Sequence, residues 1–203
     1  MRKPYSDILK KLGPPPDLDI PEADRPNTPP RTLWFRRPDP WSGGSIAPVP
    51  TAVTGLILSE KVSLHHDADA HPPGVTQAAA GGVEITTPEF DGGFLSLALG
   101  MTRREVADIH NHDIIRLTVS LHVSQPLRCY ARLTLLSGPN HEALPLEMAE
   151  VEGNHMVEWD LFFSNFDPLR GHDAWIDLIF ENPIDATIRI DDLYMLRHPR
   201  ANF

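Results

Sequence analysis

Residues 113–123 read DIIRLTVSLHV. Ile115, Leu117, Val119, Leu121 and Val123 alternate with Arg116, Thr118, Ser120 and His122. An extended chain therefore puts every apolar side chain on one face and every polar one on the other, whereas a helix would scatter them around its axis. The segment reads as a half-buried β-strand, and similar segments lie on both sides of it. VTGLIL at 53–58, EKVSLH at 60–65, VEIT at 83–86 and GFLSLAL at 93–99 precede it. LRCYARLTLL at 127–136, HMVEWDLFF at 155–163, DAWIDLIF at 173–180 and ATIRIDDLYMLR at 186–197 follow it. In the last of these, Ile188, Ile190, Asp192, Tyr194 and Leu196 are expected to share one face. Turn residues separate the segments, as in SGPN at 137–140 and EGN at 152–154. Eight or nine short strands with such turns predict an all-β fold, an antiparallel jelly-roll or β-sandwich of two sheets. Thr102–Asp108 predicts a short helix, with Thr102 as cap and Glu105 three residues on. Residues 67–82 read as an irregular loop.

The first fifty residues are of another kind. They hold twelve of the 21 prolines, with 8 Lys+Arg against 6 Asp+Glu, whereas residues 51–203 hold 10 against 22. A proline-rich, slightly basic arm at 1–50 thus precedes an acidic body at 51–203. Proline removes the amide donors that helices and sheets use, so the arm is expected to be extended. The total charge of −10 argues against broad binding to nucleic acid or to an anionic membrane. No apolar run approaches the ~20 residues of a membrane helix. The opening MRKPYSDILKKLG has no apolar core of a signal peptide, so synthesis and assembly in the cytoplasm are expected. The single cysteine, Cys129, lies in an apolar strand and excludes both an internal disulfide and zinc sites needing two cysteines.

Within the arm, residues 4–13 read as one short amphipathic helix. Ser6 caps it, and Gly13-Pro14 ends it. Tyr5, Ile8, Leu9 and Leu12 form an apolar stripe, and Lys3, Lys10 and Lys11 add positive charge. So short a helix is not stable alone in water and must dock, either on its own body or on a partner. Residues 14–30 form a spacer with a reach of about 50 Å at ~3.1 Å per residue. Trp34, Phe35 and Trp41 then interleave with Arg31, Arg36 and Arg37. Such a cluster suits a protein interface, and it equally suits a clip that holds the arm to the body.

Chemistry-bearing motifs are sparse. Nucleophile-elbow, phosphate-loop, dinucleotide and His-Glu-x-x-His patterns are all absent from the sequence. Two histidine–acid clusters stand out: His65, His66, Asp67, Asp69 and His71, and His110, His112 and Asp113. Imidazole and carboxylate would suit a transition metal if the clusters converged. Both adjoin predicted loops, where solvated polar residues are the ordinary expectation. Glu142, Glu147, Glu150, Glu152 and Glu158 supply carboxylates for a glycosidase pair or for a solvated edge that resists strand pairing. No catalytic residue and no cofactor follow, and the expected protein is not an enzyme.

The closing stretch AWIDLIFENPIDATIRIDDLYMLRHPRANF resembles the last strands of galactose-binding-like jelly rolls, which include many carbohydrate-binding modules. By that resemblance Trp159, Trp175 and Tyr194 are candidates for a ligand face or for the core. Further segments, LWFRRPDPW, EKVSLHHD, FDGGFLSLAL, ARLTLLSGPN and VEWDLFF, resemble an uncharacterised alphaproteobacterial family of the Rhodobacter group. Some of its relatives are encoded with gene transfer agents, where one small protein forms the base of the head spike on the capsid vertex. The resemblance implies a structural adaptor outside a phage-like particle. Its partners would be a capsid protein and a spike fibre protein, and its oligomer a pentamer. Lys3, Tyr5, Ile8, Leu9, Lys10, Lys11, Leu12, Trp34, Phe35 and Trp41 would form the anchoring arm. The alternatives are a module that binds cell-surface polysaccharide and a metal-dependent hydrolase. Most relatives have a longer, charged helical N-terminus, and the short helix with its polyproline spacer departs from that pattern.

Overall fold

Ile115, Leu117, Val119 and Leu121 are buried in the computed structural model, and the polar residues between them are partly exposed. The structure describes residues 18–46, 48–50, 54–79, 81–148 and 151–200. The stripe of Tyr5, Ile8, Leu9 and Leu12 and the lysines Lys3, Lys10 and Lys11 lie outside the described residues.

The described elements are β1 (Trp34–Arg36), β2 (Val49–Pro50), β3 (Gly55–Ser59), β4 (Val62–His66), β5 (Gly74–Gln77), β6 (Val83–Thr87) and β7 (Phe94–Gly100). Helix α1 (Arg103–Ala107) precedes β8 (Asp113–Val123), β9 (Arg128–Ser137), β10 (Asn140–Met148), β11 (Gly153–Asp160), β12 (Gly171–Glu181) and β13 (Ala186–Pro199). The first sheet runs β11-β8-β13-β6-β5, with β1 also paired to β13. The second runs β10-β9-β12-β7-β4-β3-β2. Every pairing is antiparallel, and most consecutive strands change sheet, which is the jelly-roll arrangement of a β-sandwich. The inner faces meet in one apolar core. Ile188, Ile190 and Leu193 come from the first sheet, and Leu97, Ile176 and Phe180 from the second. Helix α1 carries the expected capping box: Thr102 Oγ1 accepts from the Glu105 amide, and Glu105 Oε2 accepts from the Thr102 amide.

Three sequence expectations need correction. First, β13 does not keep one phase. Its pairing with β8 slips between Ile190 and Asp192, so Asp191 is an extra residue. A one-residue bulge exchanges the two faces beyond it. Ile188 and Ile190 therefore share the core face with Leu193 and Met195, opposite Val119 and Leu117, while Tyr194 and Leu196 face outward.

Second, part of the arm belongs to the body. Trp34, Phe35 and Arg36 pair with Arg197, Leu196 and Met195. Trp34 enters the core, and the Trp41 indole N–H donates to the Ile190 carbonyl at 2.8 Å. Phe35 stacks on Tyr194 with ring centroids 5.0 Å apart, and Arg37 bridges Asp24 and Asp192. Arg36 pairs with Glu105 and reaches the Gly100 carbonyl. Burying Trp34 and Trp41 in the core and laying Phe35 on outward Tyr194 outweighs the missing proline amides. Trp34 and Trp41 thus pack into the core, as the clip alternative expects, and the packed unit begins well before residue 51.

Third, β5 lies within the expected loop 67–82, and β10 was not among the expected strands. Asp91 ties down residues 69–71 by accepting their three amides, which holds its carboxyl below the usual carboxylate range.

Candidate functional site

The sandwich has two outward faces, and they differ. On the first sheet the segment from Asp24 to Trp41 packs over β13, and Arg116 of β8 donates to the Asn27 carbonyl. On the second sheet the described residues lay no such strap across β4, β7 and β12. An open trough of ≈ 480 Å³ lies there, lined by residues that include Ile57, Lys61, Ser63, His65, Ala98, Gly100, Asp173, Trp175 and Asp177.

Strand register explains its shape. Ile57, Ser63, Ala98, Asp177 and Arg132 are successive cross-strand neighbours on β3, β4, β7, β12 and β9. Gly100 lies beside Trp175 in the adjacent row. Ser63, Ala98 and Gly100 are too short to rise to the level of Trp175 and Ile57, so the sheet surface is left hollow between them. Asp173, Trp175 and Asp177 alternate along β12 and so reach the same face. The Trp175 indole N–H donates to Asp177 Oδ2 at 3.0 Å, which fixes the ring. Arg132 gives Nε and Nη2 to the same oxygen, at 3.1 and 2.8 Å. Ser96 Oγ donates to Asp177 Oδ1 at 3.2 Å. His65 Nε2 lies 2.8 Å from Ser63 Oγ.

The other sequence candidates fall elsewhere. His66 points inward against Phe90, and burial keeps its imidazole pKa below the usual value. Asp67 Oδ1 accepts the Phe94 amide, and His71 approaches Glu89. In the second cluster the His110 amide donates to Asp113, whereas the His112 ring lies against Phe162. Among the described residues no three His, Cys, Asp or Glu side chains come together as a metal-binding set. Glu150 lies outside the described residues, and Glu142, Glu152 and Glu158 have separate partners. Glu142 accepts the Asn165 amide, Glu152 binds His122, and Glu158 pairs with Arg116. Trp159 and Tyr194 are buried, the first donating to the Leu144 carbonyl and the second lying under Phe35. Trp175 alone of the three aromatic candidates stands in the trough. Cys129 is enclosed, and burial pushes its thiol up to about 12, so it is no nucleophile at neutral pH.

A family model described as a family of unknown function, DUF6478, matches residues 17–203. The chain belongs to this family. Comparison with curated proteins gives no match. Several solved structures are similar to the DUF6478 chain over part of its length. The enzymatically active domain of tailspike protein 4 of bacteriophage CBA120 aligns over 68% of this chain at 8% identity and TM-score 0.45, and the chain spans 19% of that one. A family 11 carbohydrate-binding module from Clostridium thermocellum, in complex with a mixed-linked tetrasaccharide, aligns over 74% of this chain and 100% of its own. Its identity is 10% and its TM-score 0.40. A further carbohydrate-binding module of the β-sandwich superfamily aligns over 64% of this chain and 55% of its own, with 10% identity and TM-score 0.42. These are likenesses of fold.

Proposed function

We propose that this DUF6478 protein is a non-enzymatic carbohydrate-binding module that holds a sugar chain in the trough of the second sheet. One observation carries the reading: a pinned indole stands over a small-residue hollow on the sheet face that the strap leaves free. Sugars present flat C–H surfaces together with hydroxyl groups. An aromatic ring suits the first, and a few convergent polar groups suit the second. His65, Ser63, Lys61 and Asp173 are such groups. Trp175→Ala is therefore expected to weaken glycan binding by about tenfold or more, equivalent to ~1.4 kcal/mol. The unfolding free energy should change by only about 1 kcal/mol, because the ring lies outside the core. Calorimetric titration and urea denaturation of the two proteins check both expectations.

A second reading is a head spike base of a gene transfer agent, with a pentameric body that carries a receptor-binding fibre on the exterior of the particle. The division of charge between arm and body supports it, as does the exposure of Phe162 and Phe163 beneath Arg200. Exposed aromatic surface marks protein contacts more often than bare solvent boundary. In this reading Lys3, Tyr5, Ile8, Leu9, Lys10, Lys11 and Leu12 anchor the chain to the capsid. Removal of residues 1–17 should then abolish co-purification with particles while the body stays folded. Retention of the shortened chain on particles would remove this reading.

A further inference from the structure

We infer that the trough takes an uncharged sugar chain laid across the strands, with Asp177 as a positioning residue that never touches the sugar. The inference rests on the carbohydrate-binding reading and adds the ligand class.

Asp177 is 4% exposed although its position on β12 faces outward. Its Oδ2 accepts three N–H groups from Arg132 and Trp175, and its Oδ1 accepts the Ser96 hydroxyl. Both oxygens are occupied, so the carboxylate holds the site together and is not offered to a ligand. The same bonds engage the Nε–Nη2 edge of Arg132. A guanidinium recognises a carboxylate or sulfate through its paired N–H fork, and here two arms of that fork already serve Asp177.

The surrounding charge points the same way. The trough lining holds one lysine, Lys61, against the carboxylates of Glu60, Asp173 and Asp177. Residues 51–203 as a whole hold 10 basic against 22 acidic residues. A polyanionic sugar would call for a free Nε–Nη2 edge and a favourable field, and Asp177 and the surplus of carboxylates oppose both. A neutral chain needs neither, and its affinity is insensitive to screening.

Register sets the length and direction of the site. The trough is lined from β3 through β4 and β7 to β12, four strands, between Ile57 and Trp175. Three strand gaps of ~4.8 Å make about 14 Å, enough for a short run of sugar rings in line. A single ring would fill only the part beside Trp175.

The test uses the full chain against a panel of neutral hexose oligosaccharides and uronic-acid oligosaccharides, followed by calorimetry on the members that bind. Neutral members are expected to bind, with a change of less than about twofold between ~50 and ~500 mM salt. Uronic-acid members should bind at least about tenfold more weakly. Asp177→Asn should cost about tenfold in affinity by freeing Arg132 and the indole. Trp175→Phe keeps an aromatic face but removes the pinning N–H together with the five-membered ring, and should lose severalfold; Arg132→Gln, which leaves the indole intact and takes the guanidinium from Asp177, serves if Asp177→Asn does not fold. Tighter or strongly salt-dependent binding of uronic-acid members would overturn the uncharged-ligand assignment while leaving the carbohydrate reading intact. Unchanged affinity in the folded variants would overturn the role of Asp177. Failure of every sugar to bind would remove the carbohydrate reading and this inference with it.

Discussion

Replacing Asp113 with alanine is expected to destabilise the protein by about 3–5 kcal/mol. Asp113 is 0% exposed at the start of β8. Its Oδ2 accepts Arg197 Nη1 at 2.9 Å and the His110 amide at 2.7 Å. Arg197 itself lies on the core face of β13, paired in register with Ile115. Removing the carboxylate leaves a buried cation without a counter-charge and an amide without an acceptor. The cost is that of an uncompensated charge, which exceeds the net worth of the intact pair. Replacing both partners together by apolar residues of similar volume should recover much of the loss, because that variant buries no charge at all. Urea denaturation of the single and double variants measures this directly. A loss below about 1 kcal/mol in Asp113→Ala would show that the pair is solvated and that the end of the sandwich is open.

A chain that begins at residue 51 is expected not to fold, whereas one that begins at residue 18 should keep the native stability. The longer chain retains β1, the two buried indoles and the Arg37 bridge. The shorter one exposes the outward face of Tyr194 and Leu196 and empties the space held by Trp34 and Trp41. Truncating one such tryptophan to alanine typically costs about 3–5 kcal/mol. Two of them together match the whole stability of an ordinary domain, about 5–15 kcal/mol. Circular dichroism and thermal unfolding of the two chains distinguish the outcomes. Cooperative unfolding of 51–203 at the native temperature would show that the strap is an appendage.

The strands of the body were legible because one face of each is buried, so selection for a core leaves period two in the sequence. DIIRLTVSLHV is the clearest case. The phase change at Asp191 was hidden, since a bulge alters pairing without altering composition. The arm misled for a related reason. Prolines signalled extension, but Arg25–Asn27 form a 3-10 turn, and three aromatics farther on carry enough apolar surface to dock, with no local pattern to say onto what. The short edge strand β5 lies among Gly, Ala and Pro residues, where propensity is weakest. Part of the candidate site could be read locally: Asp173, Trp175 and Asp177 alternate within DAWIDLIF and must share a face. Their partners could not, because Arg132, Ser96, His65 and Ser63 come from three other strands and meet β12 only through register. The histidine clusters show the opposite failure. His65 and His66 are adjacent in the chain, and adjacency in a strand sends them to opposite faces.

The central claim is that sugar binds on the second sheet and nowhere on the first. Backbone chemical-shift mapping of the full chain during titration with a glycan that binds tests it most directly. The account predicts saturable shifts at Ser63, His65, Ala98, Gly100, Trp175 and its indole N–H, with Tyr194, Phe35 and the β8 amides unchanged. Shifts centred on the strap, or on Phe162 and Phe163, with the trough residues still, would contradict it.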